Sequence, residues 1–432
     1  MIPTLIISIL TFVTIVLSLF LFPKVKIGKF SFHTYWIIAS VGAILLISIG
    51  LAPFEEIVDE LTADSNINPL KILVLFFSMT IISILLDEFG LFRYLASVAA
   101  KRAKNQTVLF FSFYFLIALL TVFTSNDVVI LTFTPFICFF CKRMKIDPIP
   151  YLVAEFAAAN TWSLLFIIGN PTNIFLGTSA GITFIEYFKV MALPTVAAGL
   201  VELGILFLLF RRKLSGNIWE IDHNIEKIEN KPMLFVGVAH LLTCLVFLVI
   251  SNYINIEMWL ISFITACSLL LVSSILAVTM KRNSEYVTKS LKRLPYPLIP
   301  FFLSMFVIVV ALNHQGISQQ ISNAFGNSNT VWIYGFTSFA MSNIINNIPM
   351  SILYTGLCSH LDAAVYLKGV YASIIGSNIG AFLTPIGALA GIMFIDLVNK
   401  HDAKLTFGDF VKYGSIIALP TISIALLILF LF

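Results

Sequence analysis

Apolar segments of about 20 residues recur along the whole chain, and no other feature limits the possible folds as strongly. A helix of that length and character spans the hydrocarbon core of a bilayer, where every backbone polar group must be satisfied within the protein. Only 11% of the residues are charged, against about 25% in soluble domains. The sequence therefore predicts an all-α integral membrane protein that crosses the cell membrane, plasma or inner, many times.

About ten segments are expected to be transmembrane helices within a single polytopic domain over residues 1–432. No basic leader precedes the first segment, so we expect a true span there rather than a cleavable signal. Two further apolar regions, about 107–141 and 329–358, are each interrupted by a polar cluster. The expected spans lie at about residues 3–22, 34–52, 71–88, 151–178, 188–210, 232–251, 259–280, 298–313, 369–396 and 410–431.

Basic residues mark the cytoplasmic ends of the spans. Residues 101–106 (KRAKNQ) and 141–145 (CKRMK) are both basic, and they flank the first interrupted region. If both flanks are cytoplasmic, residues 107–141 enter the membrane and return as a re-entrant helical hairpin, with the polar cluster Ser125–Asn126–Asp127 at its tip. The same assignment places the acidic loop at 53–66, and both chain termini, outside.

The sequence also repeats itself. Three blocks align in chain order at separations of 226, 220 and 218 residues, and the charge pattern gives the two copies opposite directions across the membrane. We therefore predict two inverted-topology repeats, about 1–210 and 232–432, joined by a cytoplasmic linker at 211–231, with the second hairpin opening from outside. This architecture is typical of secondary transporters. The aligned pairs are Ser78 with Ser304, Asn126 with Asn346, and Asn160 with Asn378.

Four polar breaks in apolar segments are expected to meet at one site between the repeats. Two are the hairpin tips, and two are the interruptions GNPTN (169–173) and GSNIGAFLTPIG (376–387), where proline or glycine ends a helix. Their amide and hydroxyl groups could hold a small polar solute, and Asp127 could carry the coupling proton; alternatively, Asp127 caps the returning hairpin arm and the amides only join helices. The candidate residues are Ser125, Asn126, Asp127, Asn160, Asn170, Thr172, Asn173, Ser342, Asn343, Asn346, Asn347, Ser377, Asn378 and Thr384.

The other acids and the cysteines are given simpler roles. Glu155 and Glu202 are interpreted as packed or paired carboxyl groups rather than a proton relay. Asp87 and Glu88 are expected at a helix end near Arg93. The five cysteines form no zinc or disulfide pattern, and we expect them to pack as small apolar side chains. We predict no cofactor, no bound metal and no catalytic residue, and the net charge of +4 is not read as nucleic-acid affinity.

At these residues the chain resembles the arsenical-pump membrane protein family of the ion transporter superfamily. The resemblance is carried by SNDVVILTFTP, SNIINNIPMSIL and GSNIGAFLTPIGALAGI…KLTFGDFVKYG, and it extends over nearly the whole chain. It implies an elevator-like movement of the hairpin-bearing part, a homodimer, and export of arsenite or antimonite in exchange for protons, with an ATPase subunit in some members. It also assigns binding or coupling roles to Asn126, Asp127, Asn346, Asn347, Ser377, Asn378 and Thr384.

The GNPTN segment departs from this pattern and is more similar to superfamily members that carry di- and tricarboxylates with sodium. Arsenite is neutral at pH 7, whereas a dicarboxylate brings two negative charges. The sequence places no Lys or Arg near the expected site, which favours the neutral solute. Proton-coupled arsenite or antimonite efflux is therefore the first hypothesis, and sodium-coupled anion uptake or sodium/proton exchange is the second. No motif supports a membrane-embedded enzyme.

Overall fold

The computed structural model describes residues 1–22, 24–27, 30–64, 68–217, 228, 230–279, 285–401 and 403–432. The basic residues Lys29, Lys281 and Arg282 and about half of the 211–231 linker, for which the sequence predicts a cytoplasmic location, lie outside these residues. In the first half the helices are α1 (Ile2–Leu21), α2 (Thr34–Ser48), α3 (Phe54–Thr62), α4 (Pro69–Glu88), α5 (Leu91–Arg102), α6 (Gln106–Phe123), α7 (Asn126–Met144), α8 (Ile149–Trp162), α9 (Pro171–Ser179) and α10 (Phe184–Phe210).

The second half is built in the same way. Its helices are α11 (Lys231–Ile254), α12 (Met258–Thr279), α13 (Glu285–Arg293), α14 (Leu298–His314), α15 (Ile317–Phe325), α16 (Thr330–Ile345), α17 (Asn347–Cys358), α18 (Ala363–Gly380), α19 (Leu389–Lys400) and α20 (Phe407–Leu431). Short 3₁₀ turns, Ile167–Gly169 and Pro385–Gly387, precede α9 and α19.

The all-α membrane class is confirmed, with one small addition. Strands β1 (Lys24–Ile27) and β2 (Phe30–His33) form an antiparallel ribbon between α1 and α2, with Lys24 opposite His33. By length and composition, seven helical segments of the described chain can cross a membrane: α4, α6, α10, α11, α12, α20, and α14 together with the residues leading into it. The two expected spans at 151–178 and 369–396 are each divided into two shorter helices by a break.

The helices pack in two groups. In the first group, here called the frame, α2 packs on α1 and α14, while α12 packs on α4 and α11. In the second, here called the hairpin group, α6, α7 and α8 pack together, as do α16, α17 and α18, and α10 packs along α20. The groups meet where α4 contacts α7 and α9, where α14 contacts α17, where α1 contacts α16 and where α10 contacts α11.

Hydrogen bonds and an ion pair locate both ends of the first interrupted region at one end of the molecule. The backbone N–H of Gln106, at the start of α6, donates to Gly216 O at 3.2 Å. Asp147, just after α7, pairs with Lys213 at 2.7 Å. Residues 106 and 147 therefore lie near the same short segment after α10, as a hairpin requires.

The second interrupted region is closed at the opposite end. Asn327 precedes α16 and Asp362 follows α17, and their side chains lie 2.6 Å apart. This end also holds the chain termini: the Met1 amino group donates to Gln315 at 2.7 Å, and Phe430 packs on Trp332. His314, at the end of α14, pairs there with Glu56 of the acidic loop rather than with solvent alone.

Glycines allow the helices of the hairpin group to approach closely, as small residues do in membrane proteins. A Cβ added to Gly376 of α18 would lie 2.0 Å from Ser338 Oγ and 2.2 Å from Gly335 O on α16. The second of these contacts is with backbone, which cannot move aside without separating the helices. The close crossing of α16 and α18 therefore depends on Gly376.

We expect Gly376→Ala to lower the free energy of unfolding by about 1–3 kcal/mol, the usual cost of overpacking a core. Gly204→Ala, on α10, is the matched control because a Cβ at Gly204 meets no atom within 4 Å. Thermal unfolding of both variants in detergent measures the difference. Equal stability of the two variants would contradict the proposed role of Gly376 in the α16–α18 crossing.

Candidate functional site

The tip of the first hairpin holds buried polar atoms. The chain is extended at Thr124 and Ser125, and α7 begins at Asn126. The Ser125 N–H donates to Ser83 Oγ of α4 at 3.3 Å, whereas Ser125 Oγ and Asn126 Oδ1 are buried without a partner among the described residues. The N-cap position belongs to Ser125, and Asp127 lies in the first turn of α7. The alternative role of Asp127 as the cap of the returning arm is therefore wrong.

The tip of the second hairpin is built on an unusual backbone conformation. Asn346 has φ 74° and ψ 154°, a region that is otherwise almost confined to glycine. Its side chain holds the turn in place: Nδ2 donates to Ile386 O at 2.9 Å, and Oδ1 accepts from the Ile348 N–H at 3.3 Å. Asn347 Oδ1 is buried without a partner in the described part of the chain.

The two broken spans share one construction. In the first, Gly169 lies so close to Ser163 that an added Cβ would be 2.3 Å from Ser163 O. In the second, a Cβ on Gly387 would be 2.7 Å from Gly380 O. The chain thus folds back tightly after α8 and after α18, which leaves backbone groups at the end of each helix available to neighbouring side chains.

Asn378 of α18 joins the two breaks. Its Oδ1 accepts from Ser163 Oγ and from Asn170 Nδ2, both at 2.9 Å. Its Nδ2 donates to Asn173 Oδ1 at 2.6 Å and to Ile374 O at 2.9 Å. All four polar side chains are fully or almost fully buried. This one amide therefore connects polar residues of the first half of the chain to the second half.

The remaining amides link each hairpin to its neighbouring break. Asn126 Nδ2 donates to Asn160 Oδ1 of α8 at 3.2 Å. In the second half, Asn343 Oδ1 accepts from the Thr384 hydroxyl at 2.7 Å and from the Thr384 N–H at 3.1 Å. Each hairpin is thus anchored to the interrupted span of its own half of the chain.

A cavity of about 610 Å³ reaches the first hairpin tip. Ser125 and the half-buried Asp127 line it, together with apolar residues of α4 and α14. Contrary to the expectation that no Lys or Arg lies near the site, three basic residues line the same cavity: Lys24, Arg293 and Lys400. Lys24 and Arg293 were missed because they are far from the polar breaks in sequence, and Lys400 because it lies at the opposite end of the helix that follows the second break.

Two of these basic residues are neutralised by partners. Arg293 pairs with Asp87 at 2.7 Å and Glu88 at 2.6 Å, and Lys400 pairs with Asp396 at 2.7 Å. His33, which lies opposite Lys24 in the ribbon, also lines the cavity. Burial and the Lys24 charge hold the pKa of His33 below its usual value, so this imidazole is neutral at pH 7.

The structure brings most of the sequence-predicted residues into hydrogen-bonded groups, but not into one cluster. Ser125 and Asp127 line the cavity; Asn126 with Asn160, and Asn343 with Thr384, form separate pairs. Thr172 bonds Asn170, and Ser377 and Ser342 are buried.

Ser163 and Ser83 were not predicted, because a single serine in an apolar helix gives no signal. Among the described residues, no group of three or more His, Cys, Asp or Glu side chains could hold a metal ion.

An almost entirely helical, apolar chain with two hairpins that open at opposite ends, two broken spans and a cavity at a hairpin tip is a multi-pass membrane transporter. Its residues 19–371 match the model of the citrate transporter family, CitMHS. The chain belongs to this family.

The most similar relatives include proteins with another named substrate. The arsenical pump membrane protein of Escherichia coli K12 is 28% identical over 366 residues, 81% of this chain and 84% of that protein. A putative arsenical pump membrane protein of Bacillus subtilis is 24% identical over 88% of this chain and 90% of its own length. An uncharacterized transporter of Mycobacterium tuberculosis is 26% identical over 83% of this chain and 85% of its own length. The resemblance to arsenical-pump proteins is confirmed.

A solved structure shares the fold. The YdaH transporter of Alcanivorax borkumensis superposes with a TM-score of 0.55 at 13% identity, covering 99% of this chain and 97% of that one. At this identity the likeness concerns the fold alone.

Asn378→Ala removes the amide that joins the two breaks. We expect transport to be lost, and the free energy of unfolding to fall by about 1–3 kcal/mol, because Ser163, Asn170 and Asn173 each lose a buried partner. Asn323→Ala, an exposed position on α15, is the control. Thermal unfolding and substrate uptake by proteoliposomes test both effects. Wild-type transport by Asn378→Ala would show that the bridge is dispensable.

Proposed function

We propose that this transporter expels arsenite or antimonite in exchange for protons. The observation that carries the proposal is the cavity that runs from basic residues of the predicted cytoplasmic side to Ser125 and Asp127 at the first hairpin tip. A solute entering from that side meets the hydroxyl group of Ser125 and the carboxyl group of Asp127 at the inner end of the cavity, and the buried Asn126 lies between these two residues in sequence. The relatives named as arsenical pumps support the same substrate.

The chemistry of the tip suits a neutral hydroxylated solute. Ser125 Oγ and Asn126 Oδ1 are buried and unpartnered in the described chain, so each can accept a hydrogen bond at little further cost. Arsenous acid offers three hydroxyl groups and no charge at pH 7. Binding it would not require a cation at the tip.

Asp127 is the proposed coupling carboxyl for this site. It faces the cavity, and neither a hydrogen bond nor an ion pair to its carboxylate is present among the described residues. A carboxyl without a fixed partner can exchange a proton with water in the cavity. Protonation and solute binding at adjacent groups would then compete, which is the condition for exchange.

We further propose that the two halves are inverted-topology repeats and that the hairpin group moves against the frame. Four features support this: the oppositely opening hairpins, the matching breaks at Gly169 and Gly387, the Asn378 bridge, and the few helices through which the groups meet. A rigid hairpin group could then expose one site to each side in turn.

A second candidate function is uptake of a carboxylate anion, and one observation favours it. Lys24, Arg293 and Lys400 line the cavity, and together they would raise the local concentration of anions. The family model is that of citrate transporters. Against this, Arg293 and Lys400 are already paired with acids, so an anion must compete for them.

Proteoliposomes distinguish these functions. We expect arsenite accumulation against its gradient when a pH gradient is imposed, and Asp127→Asn should abolish that accumulation while leaving insertion and thermal stability unchanged. Asp396→Asn, at the cavity rim, is the control for loss of a carboxylate. Proton-driven accumulation by Asp127→Asn would remove Asp127 from coupling. Sodium-driven citrate uptake by the wild type, with no arsenite transport, would establish the second function instead.

The orientation can be tested by single cysteines in a variant lacking the five native ones. We expect Lys104→Cys and Lys145→Cys, which flank the first hairpin, to react with a membrane-impermeant maleimide only from the cytoplasm. Asn327→Cys, which precedes the second hairpin, should react only from outside. Labelling of residues 104 and 145 from different sides would make the first hairpin an ordinary crossing and would end the inverted-repeat proposal.

A further inference from the structure

Glu202 of α10 is a buried acid that the proposed function has not used. It lies between α6 and α8, and its side chain is fully buried. Oε2 accepts a short hydrogen bond from the Thr161 hydroxyl, and Oε1 lies 3.0 Å from Tyr114 Oη. No Lys, Arg or His of the described chain pairs with it.

The partners of the Tyr114 hydroxyl determine where the protons lie. Tyr114 Oη has three neighbours: Trp162 Nε1 at 3.1 Å, Gly199 O at 2.7 Å and Glu202 Oε1 at 3.0 Å. The indole N–H can only donate and the carbonyl oxygen can only accept. The one hydroxyl hydrogen of Tyr114 can be donated to Gly199 O or to Glu202 Oε1, and we assign it to Gly199 O, the closer of the two acceptors.

The contact between Tyr114 Oη and Glu202 Oε1 then needs a hydrogen that comes from the Glu202 carboxyl group. A hydroxyl has one hydrogen and two lone pairs, so Tyr114 can accept from both Trp162 and Glu202 while it donates to Gly199. If Glu202 were ionised, either its oxygen or the Gly199 carbonyl would face Tyr114 Oη with no hydrogen between them. When Glu202 is a neutral acid, both the Tyr114–Gly199 and the Tyr114–Glu202 contact have a hydrogen between their two oxygens.

This cluster holds the end of α8 against α10. Thr161 and Trp162 are the last residues of α8, directly between Asn160, which binds Asn126, and Ser163, which binds Asn378. Gly199 makes the contact close, since an added Cβ would lie 2.6 Å from the Trp162 ring. The protonation state of Glu202 is thus linked through Thr161 and Trp162 to two hydrogen-bonded groups of the site: the Asn126–Asn160 pair and the Asn378 group.

No other acid or base competes for this proton in the described chain. Glu155 of α8 faces α7, where its Oε1 accepts from Thr134 at 3.0 Å, and His240 of α11 bonds Val236 and Ser268. Of the titratable side chains on α10 and the helices packed against it, only Tyr114 lies within hydrogen-bond distance of Glu202. The others are Tyr151, Glu155, Glu186, Tyr187, Lys189, Lys231, His240, Cys244, Tyr253, Asp409, Lys412 and Tyr413.

We propose that Glu202 is a second proton-binding site, and that its proton positions the break between α8 and α9. Loss of the proton would leave a negative charge buried without a cation, and either the Tyr114–Glu202 or the Tyr114–Gly199 contact would become repulsive. The end of α8 would then separate from α10, carrying Asn160 and Ser163 with it. Glu202 is a positioning residue here, and its role in coupling rests on the proton exchange proposed above. This proposal goes beyond the sequence-based interpretation of Glu202 as a packed or paired carboxyl group.

Infrared spectroscopy of the protein in lipid nanodiscs tests the protonation directly. We expect the wild type minus Glu202→Gln difference spectrum at pH 7 to contain the carbonyl band of a neutral carboxylic acid. Glu186→Gln is the matched control, because Glu186 lies on the same helix at its exposed end and should contribute carboxylate bands instead. Carboxylate bands from Glu202 would overturn the proposal, and this measurement needs no transported substrate.

Transport assays test the positioning role. Gln keeps a donor towards Tyr114 and an acceptor towards Thr161, so Glu202→Gln should fold and retain downhill exchange. It should lose the pH dependence of exchange and the accumulation driven by a pH gradient, while Glu186→Gln keeps both. A wild-type pH profile in Glu202→Gln would show that Glu202 is only structural. Absence of arsenite transport by the wild type would refute the proposed function but leave the infrared result on Glu202 intact.

Discussion

Polar groups buried within a bilayer must find partners in the protein, and this constraint governs the centre of the molecule. Each broken span exposes backbone groups inside the protein, and the residues at both hairpin tips are largely buried. The solution is a set of asparagines, whose amide both donates and accepts. Asn378 uses this property fully: it accepts twice from the first half of the chain, donates once to it, and donates once to its own helix. The hydrogen bonds of Asn378 therefore fix the two breaks, one from each half of the chain, relative to each other.

The same constraint separates the structural amides from the groups available to a solute. Asn378 bonds both Asn170 and Asn173, Asn160 bonds Asn126 and Phe156 O, and each of these amides would lose those bonds by binding anything else. Ser125, Asn126, Asn347 and Ser377 each retain a buried oxygen without a partner in the described chain. These oxygens can gain a hydrogen bond without breaking one. They are therefore the better candidates for the binding surface, whereas the Asn378 group is better suited to hold it rigid.

The sequence predicted the fold well because its strongest signals are local. Long apolar runs correctly indicated an almost entirely helical membrane protein, although seven helical segments of the described chain, not about ten, have the length and composition of a span. The polar interruptions correctly located both hairpin tips and both breaks. The helices α3, α5, α13 and α15 and the ribbon at Lys24–His33 were not predicted, because short segments at the ends of spans have no apolar run to reveal them. The basic lining of the cavity was missed for a different reason. Lys24, Arg293 and Lys400 come together only through packing of the frame on the hairpin group, which no local pattern records.

The two acids, Asp127 and Glu202, illustrate why burial alone does not define a proton site. Asp127 faces a cavity and has no fixed partner, so its proton can exchange with water whenever the cavity is open. Glu202 is sealed, and each of its oxygens contacts a hydroxyl, so its proton can leave only if the surrounding helices separate. The protonation of an accessible acid can follow the pH of the medium, whereas the protonation of a sealed acid can change only when the conformation changes. Because Asn126 lies beside Asp127 and bonds Asn160, next to Thr161, the two acids are connected by a short path through the hairpin tip and the end of α8. This path would allow release of one proton to be conditional on the other, as the proposed exchange of a solute for protons requires.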